Sequence, residues 1–203
     1  MERRYAINEI FYSLQGEGWR AGAPSVFVRF AGCNLECSAP TVGFDCDTEY
    51  VSGRPMTSGQ ILDEMGSVGG ACRWAVITGG EPLLQFDEAL AQALRSREYA
   101  IAIETNGTVS INDAIRATLG HIACSPKTAE HTLRIEVCDE LRYVRRVGQA
   151  IPKPSIRALR RYISPAWSPE GLRTQDLVWC INLCKENPEW SLSLQQHKTW
   201  GVR

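Results

Sequence analysis

The sequence has no charge excess of either sign. It carries 22 Lys+Arg against 23 Asp+Glu, a net charge of −1. A nucleic-acid binder or a protein of acidic membrane surfaces carries a basic footprint, and none is present, so neither partner is expected. No apolar run approaches membrane-spanning length. No apolar signal core follows Met1 to Arg4, so the eight cysteines are expected in a reducing, cytoplasmic setting, where thiols hold metals or pack as small hydrophobes. Internal repeats, low-complexity tracts and linkers are also absent. At 203 residues, 44% of them apolar, the chain is expected to be one domain, 1–203, with a substantial core.

Three of the cysteines form a loop-sized group. Cys33, Cys37 and Cys46 are separated by three and then eight residues, with Gly32, Pro40 and Gly43 among them to let the chain bend. Three thiolates can hold three irons of a cubane cluster and leave the fourth open, which suits chemistry more than electron storage. A structural zinc site is the alternative. It usually takes four ligands, and no His or further Cys lies close in sequence. The second landmark runs from Ala75 to Pro82: an apolar strand, the Gly79-Gly80 turn, then Glu81 and a proline. These glycines are expected to let backbone approach a ligand and hydrogen-bond it.

Along the chain, Tyr5 to Tyr12 and Ser25 to Ala31 read as strands, the second with period two. Arg29 lies on the latter strand, either as a partner for a carboxylate or as an outward solvated side chain. A capping box at Thr57–Gln60 opens a helix over Ile61 to Val68. Trp74–Thr78, Ala100–Glu104, His121–Ser125, Glu140–Val144 and Tyr162–Ile163 read as strands. Helical spacing covers Phe86, Leu90 and Leu94, and a short helix is expected from Asn112 to Leu119, stopped by Gly120. Leu177, Cys180, Ile181 and Cys184 share a helical face, so the last helix is expected to bury both cysteines. Trp190, Leu192 and Leu194 alternate in a final strand. Strands alternating with helices imply an α/β fold with a parallel sheet. A closed eight-fold barrel typically needs about 250 residues, so the expectation is an incomplete, open (β/α) barrel of about six parallel strands. Its ligand site belongs at the C-terminal strand ends, where the cysteine loop, Gly79-Gly80, 104–107, 125–127 and 164–165 all fall.

The cysteine triplet and the Gly-Gly-Glu-Pro turn together resemble the radical S-adenosylmethionine (SAM) superfamily. A narrower resemblance rests on Ile10–Gly18, Phe30–Leu35, Cys46–Thr48, Thr78–Pro82, Ile103–Gly107, Ser125–Lys127 and Leu192–Lys198, which occur in order over nearly the whole chain. Together they are similar to the 7-carboxy-7-deazaguanine synthase family.

That resemblance implies a radical SAM lyase. It would convert 6-carboxy-5,6,7,8-tetrahydropterin to 7-carboxy-7-deazaguanine with loss of ammonia, in the biosynthesis of queuosine and related 7-deazapurines. It implies a [4Fe–4S] cluster on Cys33, Cys37 and Cys46, Mg²⁺ on Thr48, and SAM as a cofactor. SAM contacts would fall on Gly80, Ser125, Pro126, Lys127, Ser164, Pro165, Ala166 and Trp167, with Phe44 at the adenine. Substrate contacts would fall on Leu14, Gln15, Gly16, Glu17, Arg29, Thr78, His197 and Arg203. A flavodoxin or ferredoxin would supply electrons, and a homodimer is implied. The radical would be carried by SAM, with no protein side chain as the radical centre. Four places depart from the pattern. Eight residues stand between the second and third cysteines where two are common; Asp45 stands where an aromatic precedes the third cysteine; Ser164–Trp167 replaces a Gln-Pro-type motif; and the chain ends in Arg203. Glycyl-radical activating enzymes, which act on proteins, share the triplet and the Gly-Gly-Glu-Pro turn. They would have no need of Gln15, Glu17, Arg29 or His197.

Overall fold

Period-two patterning makes strands of Tyr5–Leu14 (β1) and Pro24–Phe30 (β2), and the chain between them is too short for a crossover helix, so they pair antiparallel. The structure is a computed structural model that describes residues 2–46, 48–168 and 170–203. The cysteine loop then carries a one-turn helix, α1 (Ala39–Val42), and β3 (Arg54–Met56) returns to pair with β1. Helix and strand alternate from there as far as β6: α2 (Ser58–Gly69), β4 (Trp74–Gly79), α3 (Glu88–Ser96), β5 (Ala100–Thr105), α4 (Asp113–Arg116) and β6 (Leu119–Cys124); β7 (Val137–Arg145) and β8 (Arg157–Pro165) then follow with no α-helix between them. A small hairpin of β9 (Trp167–Ser168) and β10 (Gly171–Leu172) precedes α5 (Thr174–Glu186), β11 (Ser191–Leu192) and α6 (Gln196–Trp200).

Among the described residues the main sheet has nine strands in the order β11-β8-β7-β6-β5-β4-β2-β1-β3. The run from β2 through β8 to β11 is parallel throughout. The sheet keeps two free edges, so it is the expected open, incomplete barrel. β1 and β3 add an antiparallel edge to the parallel strands, β1 running against both of its neighbours. No helix among the described residues is long and apolar enough to cross a membrane.

The two faces of the sheet do different work. Ile61 and Met65 of α2 and Leu90 and Leu94 of α3 are fully buried with Val26, Val28, Ile77, Ile101 and Ile103. Each such side chain contributes about 2 kcal/mol by leaving water. The opposite face carries only a small apolar layer of Phe11, Phe27, Val76 and Ala102. Above that layer it turns polar.

Several local expectations are corrected. Gly120 does not stop a helix: α4 ends at Arg116, and Leu119 already pairs with Ile101 in the β5–β6 ladder. On α5 the buried residues are Asp176, Cys180 and Leu183, while Cys184 is half-buried and Ile181 is 37% exposed. Asp176 turns the helix this way, because its carboxylate accepts from Val147 N at 2.9 Å and Arg173 Nε at 2.7 Å. The final strand is only Ser191–Leu192, after which Ser193, not Leu194, is buried. Ser164 and Pro165 do not form a turn with Ala166 and Trp167; they end β8, and Trp167 opens the hairpin.

Candidate active site

Alternation along the parallel strands brings a row of polar side chains to the inner face. Arg29 on β2 lies beside Thr78 on β4, and Glu104 on β5 lies beside Ala123 on β6. Arg142 follows on β7 and Ser164 on β8. All of these line one open cavity of about 510 Å³ at the C-terminal ends of the strands.

The cysteine loop forms another wall of that cavity. Cys33, Cys37 and Cys46 all line it, and none is in a disulfide. Burial pushes the Cys33 and Cys37 thiols up, with the Lys127 ammonium pulling Cys37 back. The loop is tied to the two signature turns. Gly80 N donates to Phe30 O at 3.3 Å and Glu81 N to Gly32 O at 3.0 Å. Asn34 donates to Thr108 Oγ1 at 2.8 Å and accepts from Asn106 Nδ2 at 3.1 Å. Here a sequence expectation is revised. The glycines of the turn serve the approach of chain to chain first: a Cβ on Gly80 would lie 2.3 Å from Gly32 O and 2.7 Å from Cys33 Cβ. Glu81 is fully buried and accepts from Leu83 N, Thr105 Oγ1 and Asn106 N, so it clamps the end of β4 to the end of β5.

The long segment between Cys37 and Cys46 has a defined course. Thr41 Oγ1 accepts from Ser38 N, and the Asp45 carboxylate accepts from Ala39 N at 2.9 Å, so the N-terminal end of α1 is held. Arg146 donates to Gly43 O and packs the segment onto the β7–β8 connection. Asp45 therefore serves the loop. The neighbouring aromatic, Phe44, lines the cavity with the Lys127 ammonium 5.6 Å from its ring centroid.

Nineteen of the 21 candidate residues line this one cavity; Pro126 and Ala166 do not, being buried behind its wall. Thr48, Gly80, Ser125 and Trp167 are among those that do. The Lys127 ammonium donates to Ser125 Oγ at 2.6 Å, and the Lys198 ammonium lies 5.0 Å from the Trp167 ring. Leu14 enters from the end of β1 and Gln15 from the start of the β1–β2 connection. Gly16 lies against His197, where a Cβ would come 2.0 Å from Nδ1, and Gly16 O accepts from Gln196 N at 2.9 Å, so the tail is docked there. Arg29 Nε donates to Glu9 Oε1 at 2.9 Å, and Glu9 Oε2 is 3.3 Å from Arg203 Nη1. The Arg203 carbonyl accepts from Ser13 Oγ at 2.6 Å.

Two side chains that sequence reasoning did not assign organise this end. Glu104 accepts from Gln15 Nε2 at 2.9 Å and from Thr78 Oγ1 at 3.0 Å. Arg142 pairs with Glu17. Glu104 carried the signal that marked Arg29, a charge on an otherwise apolar strand, whereas Arg142 is one of four charged residues on β7 and nothing local singled it out.

The donor set suits an iron–sulfur cluster: three free thiols on one loop, facing a cavity of ligand size. Among the described residues, no three His, Cys, Asp or Glu side chains are gathered around a single ion.

No family model matches the chain. Curated relatives do. The 7-carboxy-7-deazaguanine synthase of Bradyrhizobium diazoefficiens is 38% identical, over 98% of this chain and 99% of its own length. The proteins of the same name from Burkholderia multivorans and Bacteroides thetaiotaomicron are 38% and 36% identical, over 98% and 97% of this chain. Among solved structures, QueE from Escherichia coli superposes with a TM-score of 0.70, at 24% identity, over 96% of this chain and 95% of that one, which shows the shared fold. With identity above one third over nearly its full length, the chain belongs to the 7-carboxy-7-deazaguanine synthase family.

Proposed function

We propose that this chain is a radical SAM lyase that converts 6-carboxy-5,6,7,8-tetrahydropterin to 7-carboxy-7-deazaguanine, releasing ammonia, for queuosine or a related 7-deazapurine. The observation that carries the reading is a single cavity joining three free thiols to a dense row of charged and amide side chains. Cys33, Cys37 and Cys46 would hold three irons of a [4Fe–4S] cluster and leave the fourth for SAM. Bound together, the cluster and SAM supply a one-electron cleavage that delivers a hydrogen-abstracting carbon radical.

The chain's own residues bind and orient. The Gly80 backbone, Ser125, Lys127, Ser164 and Pro165 would hold SAM, with Phe44 and Trp167 as apolar walls. Arg29 has its Nε engaged by Glu9, which leaves its terminal fork for the substrate carboxylate. Gln15, Glu17 and Glu104 suit the donor-rich pterin edge, with Thr78 and His197 beside them. Unpaired, such buried groups reject analogues that lack the matching polar atoms. The Thr48 hydroxyl is a hard oxygen donor fit for Mg²⁺, an ion that keeps several waters. His197 and Lys198 of α6, with Arg203, would add the tail's polar atoms to the cavity wall. On this reading the chain acts as one radical SAM domain, takes electrons from a flavodoxin or ferredoxin, works in the reducing cytoplasm and pairs as a homodimer.

The test is anaerobic. The protein is reconstituted with iron and sulfide and supplied with SAM, dithionite, Mg²⁺ and the pterin, and 7-carboxy-7-deazaguanine is followed by mass spectrometry. Product is expected from the wild type and none from Cys37→Ala. Formation of 5′-deoxyadenosine without product would sink the deazapurine reading and favour activation of a protein substrate.

A further inference from the structure

Beside the polar end of the cavity lies a second, small pocket. Its walls include Glu17, Arg20, Glu104, His121, Glu140 and Arg142, and its volume of about 10 Å³ is room for about one water. Arg142 lines both spaces. Its side chain is 5% exposed, yet it meets three carboxylates: it pairs with Glu17, Nη2 lies 4.0 Å from Glu104 Oε1, and Nε lies 3.6 Å from Glu140 Oε1.

These contacts are unequal. Glu140 is anchored from elsewhere, since its Oε2 accepts from Trp19 N at 2.9 Å and lies 3.7 Å from His121 Nε2. Its Oε1 is too far from Arg142 Nε for a hydrogen bond, and both atoms are buried with no hydrogen-bond partner among the described residues. An arginine serving only to neutralise Glu140 would sit against it. Arg142 is instead drawn towards the cavity, where its direct hydrogen bond goes to Glu17. The Glu17 backbone N donates to Gln15 Oε1 at 3.1 Å, and the Gln15 amide donates to Glu104, so the loop and both carboxylates form one connected unit.

We propose that Arg142 is a positioning residue for substrate recognition. It fixes the Glu17 carboxylate and, across Glu104, the Gln15 amide and the Thr78 hydroxyl in the arrangement that the substrate edge meets. Glu140 stands behind it as a buried counter-charge, 3.6 Å from Nε, without bonding it. The substrate named in this inference rests on the pterin reading above; the positioning of Glu17 does not.

The test uses the reconstituted full chain with Arg142→Met, which keeps length and removes charge, and Arg142→Lys, which keeps charge and removes the fork. For Arg142→Met the KM for the pterin is expected to rise at least tenfold, with the KM for SAM within twofold of wild type. Arg142→Lys is expected to recover part of the loss. In a crystal structure of Arg142→Met the Glu17 carboxylate is expected to leave its place in the cavity wall. An unchanged pterin KM, an equal rise in both KM values, or an unmoved Glu17 overturns the proposal. Should Arg142→Met fail to fold, Glu17→Gln replaces it, and it must show the same selective rise in pterin KM; no rise overturns the proposal. If wild type fails to turn over the pterin, the functional reading falls. The position of Glu17 in the Arg142→Met crystal then decides the positioning role by itself.

Discussion

Glu81 stands at the centre of the signature turn, yet its carboxylate is turned away from the cavity and into the protein. Burial raises its pKa, and the hydrogen bonds from Asn106 N, Leu83 N and Thr105 Oγ1 work against that rise. Removing the acceptor would strand buried donors, which costs more than the net worth of the bonds themselves. Glu81→Ala is therefore expected to lower stability by about 3 kcal/mol, read from urea unfolding. A loss of activity with unchanged stability would show instead that the carboxylate acts on the ligand. At this scale the sequence was partly legible. An acid after two glycines announces a special turn, but its pattern does not say whether the side chain serves ligand or chain. That depends on Thr105 and Asn106, which reach it from another strand.

At the scale of elements, the cysteine loop has little regular structure of its own; it is shaped by what surrounds it. The Gly79-Gly80 turn accepts it from one side, the Asn106–Thr108 turn from another, and the β7–β8 connection holds α1. Gly80→Ala places a Cβ within 2.3 Å of Gly32 O and 2.7 Å of Cys33 Cβ, so backbone must move. The expected outcome is reduced iron and sulfide per chain after reconstitution, with the unfolding midpoint little changed because the helical layer is untouched. Full iron loading in this variant would show that Cys33 keeps its place without the close contact. The motif spacing located this loop, and Gly32, Pro40 and Gly43 announced its bends. The short α1 had local signals in Ser38, Thr41, Pro40 and Gly43 that went unread, whereas the docking of Gly43 on Arg146 was not legible, since that arginine lies 103 residues away in the chain.

For the whole molecule, the buried weak acids set the alkaline limit. Burial pushes Cys138 and Cys180 from about 9 to about 12, and burial with the Asp87 hydrogen bond pushes Tyr5 from about 10 to about 12. Each pKa is higher in the fold than in the unfolded chain, so the unfolded chain loses its protons first. The contribution of these groups is complete below about pH 9 and is lost progressively as pH rises towards about 12. Unfolding free energy is expected to be flat in this respect up to pH 9 and to fall above it, measured by urea titration at each pH. Cys138→Ala should make that fall shallower. A fall of equal steepness in the variant would exclude Cys138 as a source.

The sequence by itself determined the order of the strands along the chain, the cysteine loop, the signature turns and the gathering of their ends at one mouth, because these follow from local periodicity and glycine geometry. Arg29 was legible only as one of two readings, and Gln15 and Glu17 only through the family resemblance, since a polar residue on a loop reads the same whether solvated or bound. Only the tertiary structure decided which face of each strand looks inward, that β3 returns to pair with β1, that Asp176 turns α5, and that Glu104 and Arg142 join the candidate site. Those outcomes depend on pairing between residues far apart in the chain. A charge in an apolar strand reads the same whether it meets solvent or two other charges, until the sheet brings them together.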